Sequence, residues 1–136
     1  MHLYHECLVK ASFERVRQFF ENPKNLLSIT PLSFMLSIES EEPLKEGLRI
    51  RLKLLGITLM ESLIRELHPH GFTDIALKKP FFIKGWKHVH RYVPKGSSTV
   101  IEDELFVESH IPAVLLKPLL RLMFIYRCGR LRKILD

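Results

Sequence analysis

Most of the residues in this chain that could do chemistry lie in Trp86-Lys87-His88-Val89-His90-Arg91-Tyr92 and in Thr99-Val100-Ile101-Glu102-Asp103, which follows after a short turn. A strand sends alternate side chains to opposite faces. Trp86, His88, His90 and Tyr92 then share one face, and Lys87, Val89, Arg91 and Val93 the other. On the next strand Thr99, Ile101, Asp103, Leu105 and Val107 share a face that is apolar except for its two polar members. Imidazoles, a phenol and a carboxylate among large apolar groups mark the wall of a cavity, because a solid core would leave that much polarity unsatisfied.

With the four residues 94–97 as the turn, Val93 pairs with Ser98, which sets His88 opposite Asp103, His90 opposite Ile101, Tyr92 opposite Thr99 and Trp86 opposite Leu105. Directly opposed side chains stand about 4.5–5.5 Å apart at Cβ. A His88–Asp103 pair is therefore expected, with the carboxylate fixing one tautomer and raising the imidazole pKa. Three roles fit such a pair: a general acid–base couple with His88 and Asp103 as catalytic residues, a buried polar pair that satisfies itself, or a hydrogen-bonding site for a ligand. Two histidines at i, i+2 can also share a metal ion. A third ligand would have to come from Asp103, or from His68 or His70 in a turn, so no metal and no cofactor are expected.

The elements that must position these residues can be read along the chain. His2 to Lys10 is a first strand. Ser12 caps a helix whose Phe13, Val16, Phe19 and Phe20 recur at helical spacing, and Asn22-Pro23 ends it. Pro23 opens a second short helix that stops at Thr30-Pro31. Strands follow at 33–40, 47–55, 57–67, 72–78, 82–93 and 98–109, separated by turns rich in Gly and Pro. Strands joined by such short turns pair antiparallel. Pro112 then introduces a long helix. Its apolar positions Leu115, Leu119, Leu122, Met123, Tyr126 and Ile134 are expected to face the sheet, with the main helix beginning near Pro118. The simplest assembly is a single α+β domain over 1–136: a curved antiparallel sheet of about seven strands, two short helices after the first strand, and a long helix across the concave side. A space between sheet and helix either fills with side chains or holds a ligand.

Composition narrows the function classes. The chain has 136 residues, 46% hydrophobic and 26% charged, which is ordinary globular material able to bury a core. No apolar run reaches membrane-spanning length, and the N-terminus does not resemble a secretion signal, so a cytoplasmic protein is expected. Cys7 and Cys128, one near each end, are expected as separate reduced thiols. The net charge is +6, and Lys117, Arg121, Arg127, Arg130, Arg132 and Lys133 in the C-terminal helix account for all of it. Basicity confined to one helix argues against a broad nucleic-acid face. It leaves a solvated face, contact with anionic lipid or docking to an acidic partner. There is no Gly-rich phosphate loop, no GxSxG elbow and no Cys-His nucleophile spacing.

The segment Phe19-Phe20-Glu21-Asn22-Pro23-Lys24-Asn25-Leu26-Leu27-Ser28-Ile29-Thr30-Pro31 resembles the FFxNPxNLxxITP string of a bacterial subgroup of the START-like (SRPBCC, Bet v 1-like) superfamily. The similarity continues through Gly47, Phe72-Thr73-Asp74, Pro80-Phe81, the WxHxH of Trp86, His88 and His90, the TxxxD of Thr99 and Asp103, Pro112 and Phe124-Ile125-Tyr126-Arg127, and so covers about residues 2–135. The chain departs from the subgroup at Glu61, where a Trp is common, and at Lys79, where Gly is favoured.

The resemblance implies a helix-grip fold around a hydrophobic cavity, in a group that includes binders of lipids, polyketides, hormones or quinones as well as cyclases and dehydratases. The expected function is binding of a small hydrophobic molecule through Trp86, His88, His90, Tyr92, Ile101, Asp103, Phe34, Ile50, Met123 and Tyr126. Phe19, Phe20, Leu36, Leu52 and Leu119 are further candidate walls. The alternatives are a cyclase- or dehydratase-type enzyme using His88 with Asp103, and a protein that meets a membrane or partner through its basic C-terminal helix.

Overall fold

A computed structural model describes the whole chain, Met1–Asp136. Strand β1 (His2–Val9) leads into helix α1 (Phe13–Glu21), whose N-terminus is capped by Ser12 accepting from the Arg15 N–H at 3.2 Å. Asn22 turns the chain by accepting from the Lys24 N–H at 3.0 Å and opens a 3-10 helix, Pro23–Ile29. The remaining elements are β2 (Leu36–Glu39), β3 (Arg49–Leu54), β4 (Ile57–His68), β5 (Gly71–Lys78), β6 (Ile83–Lys95), β7 (Ser98–Ser109) and α2 (Ala113–Leu135). All seven strands form one antiparallel sheet in the order β1-β7-β6-β5-β4-β3-β2. The architecture is the expected α+β helix-grip arrangement.

Four local expectations need correction. The first concerns the start of β2. Leu32 sits in the left-handed region at φ 59° and Ser33–Met35 form a second 3-10 turn, so the strand begins only at Leu36. Phe34 is thereby thrown outward and is 84% exposed. The second is the β6–β7 turn, which has two residues and not four: Lys95 pairs with Ser98, and Gly96 supplies the positive φ such a tight loop needs.

The third correction is the rotation of α2. Leu116, Phe124, Arg127, Cys128, Leu131 and Leu135 are buried, whereas Leu115, Leu119, Leu122 and Tyr126 face outward. The helix also runs unbroken from Ala113 through Pro118, which lacks the N–H that would reach the Val114 carbonyl. The fourth is the cysteine pair. Cys7 on β1 and Cys128 on α2 are joined in a disulfide, their Cα atoms 5.6 Å apart.

The disulfide is one of several ties that seat α2. Arg132 Nε donates to the Leu8 carbonyl at 3.0 Å, Arg130 Nε to the Ser28 carbonyl at 3.0 Å, and the Lys10 N–H to Asp136 Oδ1 at 2.7 Å. Two apolar cores result. One joins Val9, Val16, Phe20, Ile64, Phe72, Tyr92, Ile101 and Leu131, and the other joins Leu3, Leu105, Val107, Leu116 and Phe124.

Candidate functional site

Strand β6 carries His88 and His90 on its inward face, both buried. The two-residue turn slides β7 by two positions from the expected pairing. His90 stands opposite Asp103, and His88 opposite Leu105. An even slip keeps every side chain on its expected face, so Asp103 still reaches both rings. Asp103 Oδ1 lies 2.9 Å from His88 Nε2 and 3.0 Å from His90 Nδ1. The first contact is a hydrogen bond. The second is out of line for one, which leaves His90 Nδ1 buried without an aligned partner. The His88–Asp103 contact expected from the sequence is thus present, made diagonally and not straight across.

A second carboxylate enters from β5, where Asp74 pairs with His88 and Phe72 with His90. Asp74 Oδ2 lies 3.2 Å from His90 Nε2 and 3.5 Å from His88 Nδ1. The two imidazoles, with centroids 3.8 Å apart, are therefore held between two carboxylates. His5, opposite Asp103 on β1, stacks on Phe124 with centroids 5.4 Å apart.

Burial and charge act on these groups in opposite senses. Burial pushes the His88 pKa down, and the neighbouring His90 charge adds to that, so the carboxylates do not bring it back to its ordinary value. The expectation that Asp103 raises His88 is therefore corrected: desolvation wins. For His90, burial also lowers the pKa, but Asp103 and Asp74 together outweigh it, and the net shift is upward. Burial would raise both acids. Their hydrogen bonds to the imidazoles reverse this, holding Asp74 below and Asp103 well below the usual carboxylate range. The imidazole pair is thus bracketed by two ionised carboxylates, with the Arg127 guanidinium facing them from α2.

The cluster closes one end of a cavity of about 210 Å³ between the sheet, α1, the first 3-10 helix and α2. Its walls are mostly apolar and include Phe19, Phe20, Ile50, Leu52, Met60, Ile64, Phe72, Trp86 and Met123. Asp74, His88, His90 and Arg127 supply the polar end. Among the residues expected as ligand contacts, Trp86, His88, His90, Ile50 and Met123 line this space. Asp103 stands behind the imidazoles. Ile101 and Tyr92 are packed into the core beside it. Phe34 points away, and Tyr126 is 44% exposed on the outer side of α2. Leu119, 62% exposed, is not a wall either.

Two polar residues of the site are additions to the sequence reading. Asp74 could have been found from its alternation with Phe72 on a strand that must pair with β6. Arg127 could have been found from its helical spacing with Phe124, Cys128 and Leu131, had the buried face of α2 been known. Arg127 is 8% exposed, and its Nε has no hydrogen-bond partner.

No family model matches the sequence, and no curated protein matches it. Solved structures do match in shape. A START superfamily protein from Mycobacterium smegmatis superimposes with a TM-score of 0.77 at 14% identity, covering 98% of this chain and 96% of that one. The allergen Ara h 8.0201 gives 0.69 at 10% identity, with 95% of each chain covered. Norcoclaurine synthase from Thalictrum flavum, in complex with dopamine and hydroxybenzaldehyde, gives 0.67 at 15% identity, covering 95% of this chain and 84% of that one. The chain has the START/Bet v 1-like helix-grip fold.

Proposed function

We propose that this protein binds a small, largely apolar molecule bearing one hydrogen-bond-accepting group, with the apolar part among Phe72, Trp86 and Met123 and the acceptor at Arg127. The observation that carries this reading is the orphaned Arg127 Nε, buried over an apolar cavity that ends in an imidazole pair. A buried guanidinium donor without an acceptor is costly, and a ligand oxygen would satisfy it. The cavity lies below the roughly 300–1,000 Å³ typical of drug-sized sites, so a ring or short chain suits it better than a whole lipid. The START-type and Bet v 1-type neighbours, and the synthase solved with two small aromatic molecules, support the same class of ligand.

Burying about 200 Å² of apolar ligand surface yields roughly 5 kcal/mol before the costs of association. The probe 2-naphthoate, followed by its fluorescence, tests the reading. It should bind more tightly than naphthalene, and Arg127→Met should remove that preference while leaving naphthalene binding in place. Equal binding of both probes by the unaltered protein would refute the assignment of Arg127.

An acid–base role is favoured by the geometry: two imidazoles with centroids 3.8 Å apart, each hydrogen-bonded to a carboxylate, line the polar end of the cavity. In a cyclase- or dehydratase-type reaction, His88→Ala would abolish turnover and spare binding.

A membrane-docking role for α2 is favoured by its outward face, where Val114, Leu115, Leu119, Leu122 and Ile125 are each at least 60% exposed beside Arg121. Arg130 and Arg132 are engaged with backbone carbonyls and contribute less. Sedimentation with phosphatidylserine vesicles should fall sharply for Leu119→Glu/Leu122→Glu. Unchanged sedimentation, or none by the parent chain, would remove this role.

A further inference from the structure

We propose that Asp74, His88 and His90 bind one late first-row divalent metal ion, zinc being the simplest, with an open coordination position facing the cavity. This goes beyond the ligand-binding reading and stands whether or not an organic molecule binds.

Three donor atoms converge on one point. One donor atom each from Asp74, His88 and His90 lies within 4.8 Å of the other two, and Asp74 Oδ2 is 3.5 Å from His88 Nδ1 and 3.2 Å from His90 Nε2. Zinc bonds to N and O of about 2.0–2.2 Å in a tetrahedral arrangement place neighbouring donors roughly 3.3–3.5 Å apart. The two nitrogen-to-oxygen spacings are of that size.

The opposite nitrogens explain why these three atoms need a cation. His88 Nε2 and His90 Nδ1 both turn to Asp103 Oδ1, at 2.9 and 3.0 Å. An ionised carboxylate only accepts, so the His88 proton belongs on Nε2, aligned with Asp103, while the His90 Nε2 proton that meets Asp74 is the one a metal ion would displace to Nδ1, 3.0 Å from Asp103. With that shift, Nδ1 of His88 and Nε2 of His90 present lone pairs beside the Asp74 oxygen, in a buried setting. One added proton relieves part of this, whereas one metal ion relieves all of it. A carboxylate behind metal-bound histidines, holding tautomer and ring orientation, is the usual supporting arrangement in such sites. Asp103 occupies that position for His88 by a hydrogen bond and lies 3.0 Å from His90 Nδ1.

Donor chemistry selects the metal class. Two imidazoles and one carboxylate suit zinc and its transition-metal neighbours better than magnesium or calcium, which favour all-oxygen sets. Both cysteines are tied in the disulfide and offer no thiolate. Two carboxylates, two neutral imidazoles and a divalent ion sum to zero, so Arg127 leaves a positive charge toward the open position. A negatively charged oxygen, as in a carboxylate, phenolate or enolate, fits there.

The test uses the full, untagged chain stripped with EDTA and titrated with Co²⁺ by visible absorption. One Co²⁺ per chain should give the ligand-field bands of a four- or five-coordinate ion, and one equivalent of Zn²⁺ should bleach them. Asp74→Asn and His90→Gln should weaken binding at least 100-fold. Asp103→Asn should weaken it about 10- to 100-fold, as loss of an outer-shell partner does. His68→Gln/His70→Gln should change nothing. Should a site variant fail to fold, the parent chain still decides. In its ¹H–¹⁵N imidazole spectra Zn²⁺ must perturb His88 and His90. Absence of bands, bands that persist unchanged in a folded Asp74→Asn protein, or perturbation confined to His2, His68, His70 and His110 would overturn the proposal. Retained 2-naphthoate binding by the EDTA-treated chain separates its failure from failure of the ligand-binding reading.

Discussion

Replacing Asp103 with Asn removes one negative charge from the buried cluster and leaves its shape. Asp103 is 3% exposed, accepts from His88 Nε2 at 2.9 Å and lies 3.0 Å from His90 Nδ1. An amide oxygen can still accept from His88, so the minimum cost is the difference between a charged and a neutral hydrogen bond, about 1 kcal/mol. The maximum is that of stranding a buried cation, about 3–5 kcal/mol. His90 can escape the full cost by losing its proton, so a loss of about 2–3 kcal/mol at pH 7 is expected.

The sign of the pH dependence follows from the two shifts. The Asp103 pKa is depressed in the folded chain. Its contribution is complete above the unfolded carboxylate value near 3.9 and is lost as pH falls toward the folded value. The His90 pKa is raised. Its contribution is complete below the unfolded value near 6.5 and is lost as pH rises through the folded value. Wild type minus Asp103→Asn should therefore be greatest between about pH 4 and 6.5 and shrink on both sides. Urea unfolding of both proteins from pH 3 to 8, with EDTA present, measures this difference. His5 and the buried Tyr92 hydroxyl also face Asp103, and neither reproduces that window: the His5 pKa is lowered and the Tyr92 pKa raised. A difference below 0.5 kcal/mol at pH 6, or one independent of pH, would refute the charge reasoning.

Other outcomes follow from packing and connectivity. The disulfide links residues 121 apart, so a Cys7→Ala/Cys128→Ala protein should lose about 4–5 kcal/mol in urea unfolding on the chain-entropy account; a loss under 1 kcal/mol would contradict it. At Gly71, φ is 151°, and an added Cβ would fall 1.9 Å from the His90 carbonyl oxygen. Gly71→Ala should cost well over about 1 kcal/mol and weaken probe binding by displacing His90; unaltered stability would rule out that close approach. Met60→Trp fills the cavity from β4. It should abolish 2-naphthoate binding at a stability cost of about 1–3 kcal/mol, and retained binding would place the probe elsewhere.

The pieces that were legible in the sequence depend on short-range periodicity. Alternation along 86–92 and 99–107 put the right residues on the inward face, and that held through a register error because the slip was even. The register differs from the expected one because the loop is shorter than residues 94–97. Pro94 and Lys95 remain in the ladder, and Gly96 makes the tight turn.

What stayed hidden depends on long-range packing. The first three turns of α2 are apolar on nearly every side, from Val114 to Ile125, so periodicity could not choose the buried face. That choice fixes whether Arg127 enters the cavity and whether Cys128 meets Cys7. Asp74 was visible as part of a string, but its role depends on the β5–β6 register. A 3-10 turn at Ser33–Met35 decided the fate of Phe34.

The proposed binding site is the hollow between the sheet and α2, with the His88–His90–Asp74 cluster and Arg127 at its polar end. Titrating ¹⁵N-labelled protein with 2-naphthoate while recording ¹H–¹⁵N correlation spectra tests it most directly. Saturable shifts centred on Phe72, Asp74, Trp86, His88 and Arg127 are expected. Shifts that fall only on Leu115, Leu119 and Leu122, or no saturable shift at all, would contradict it.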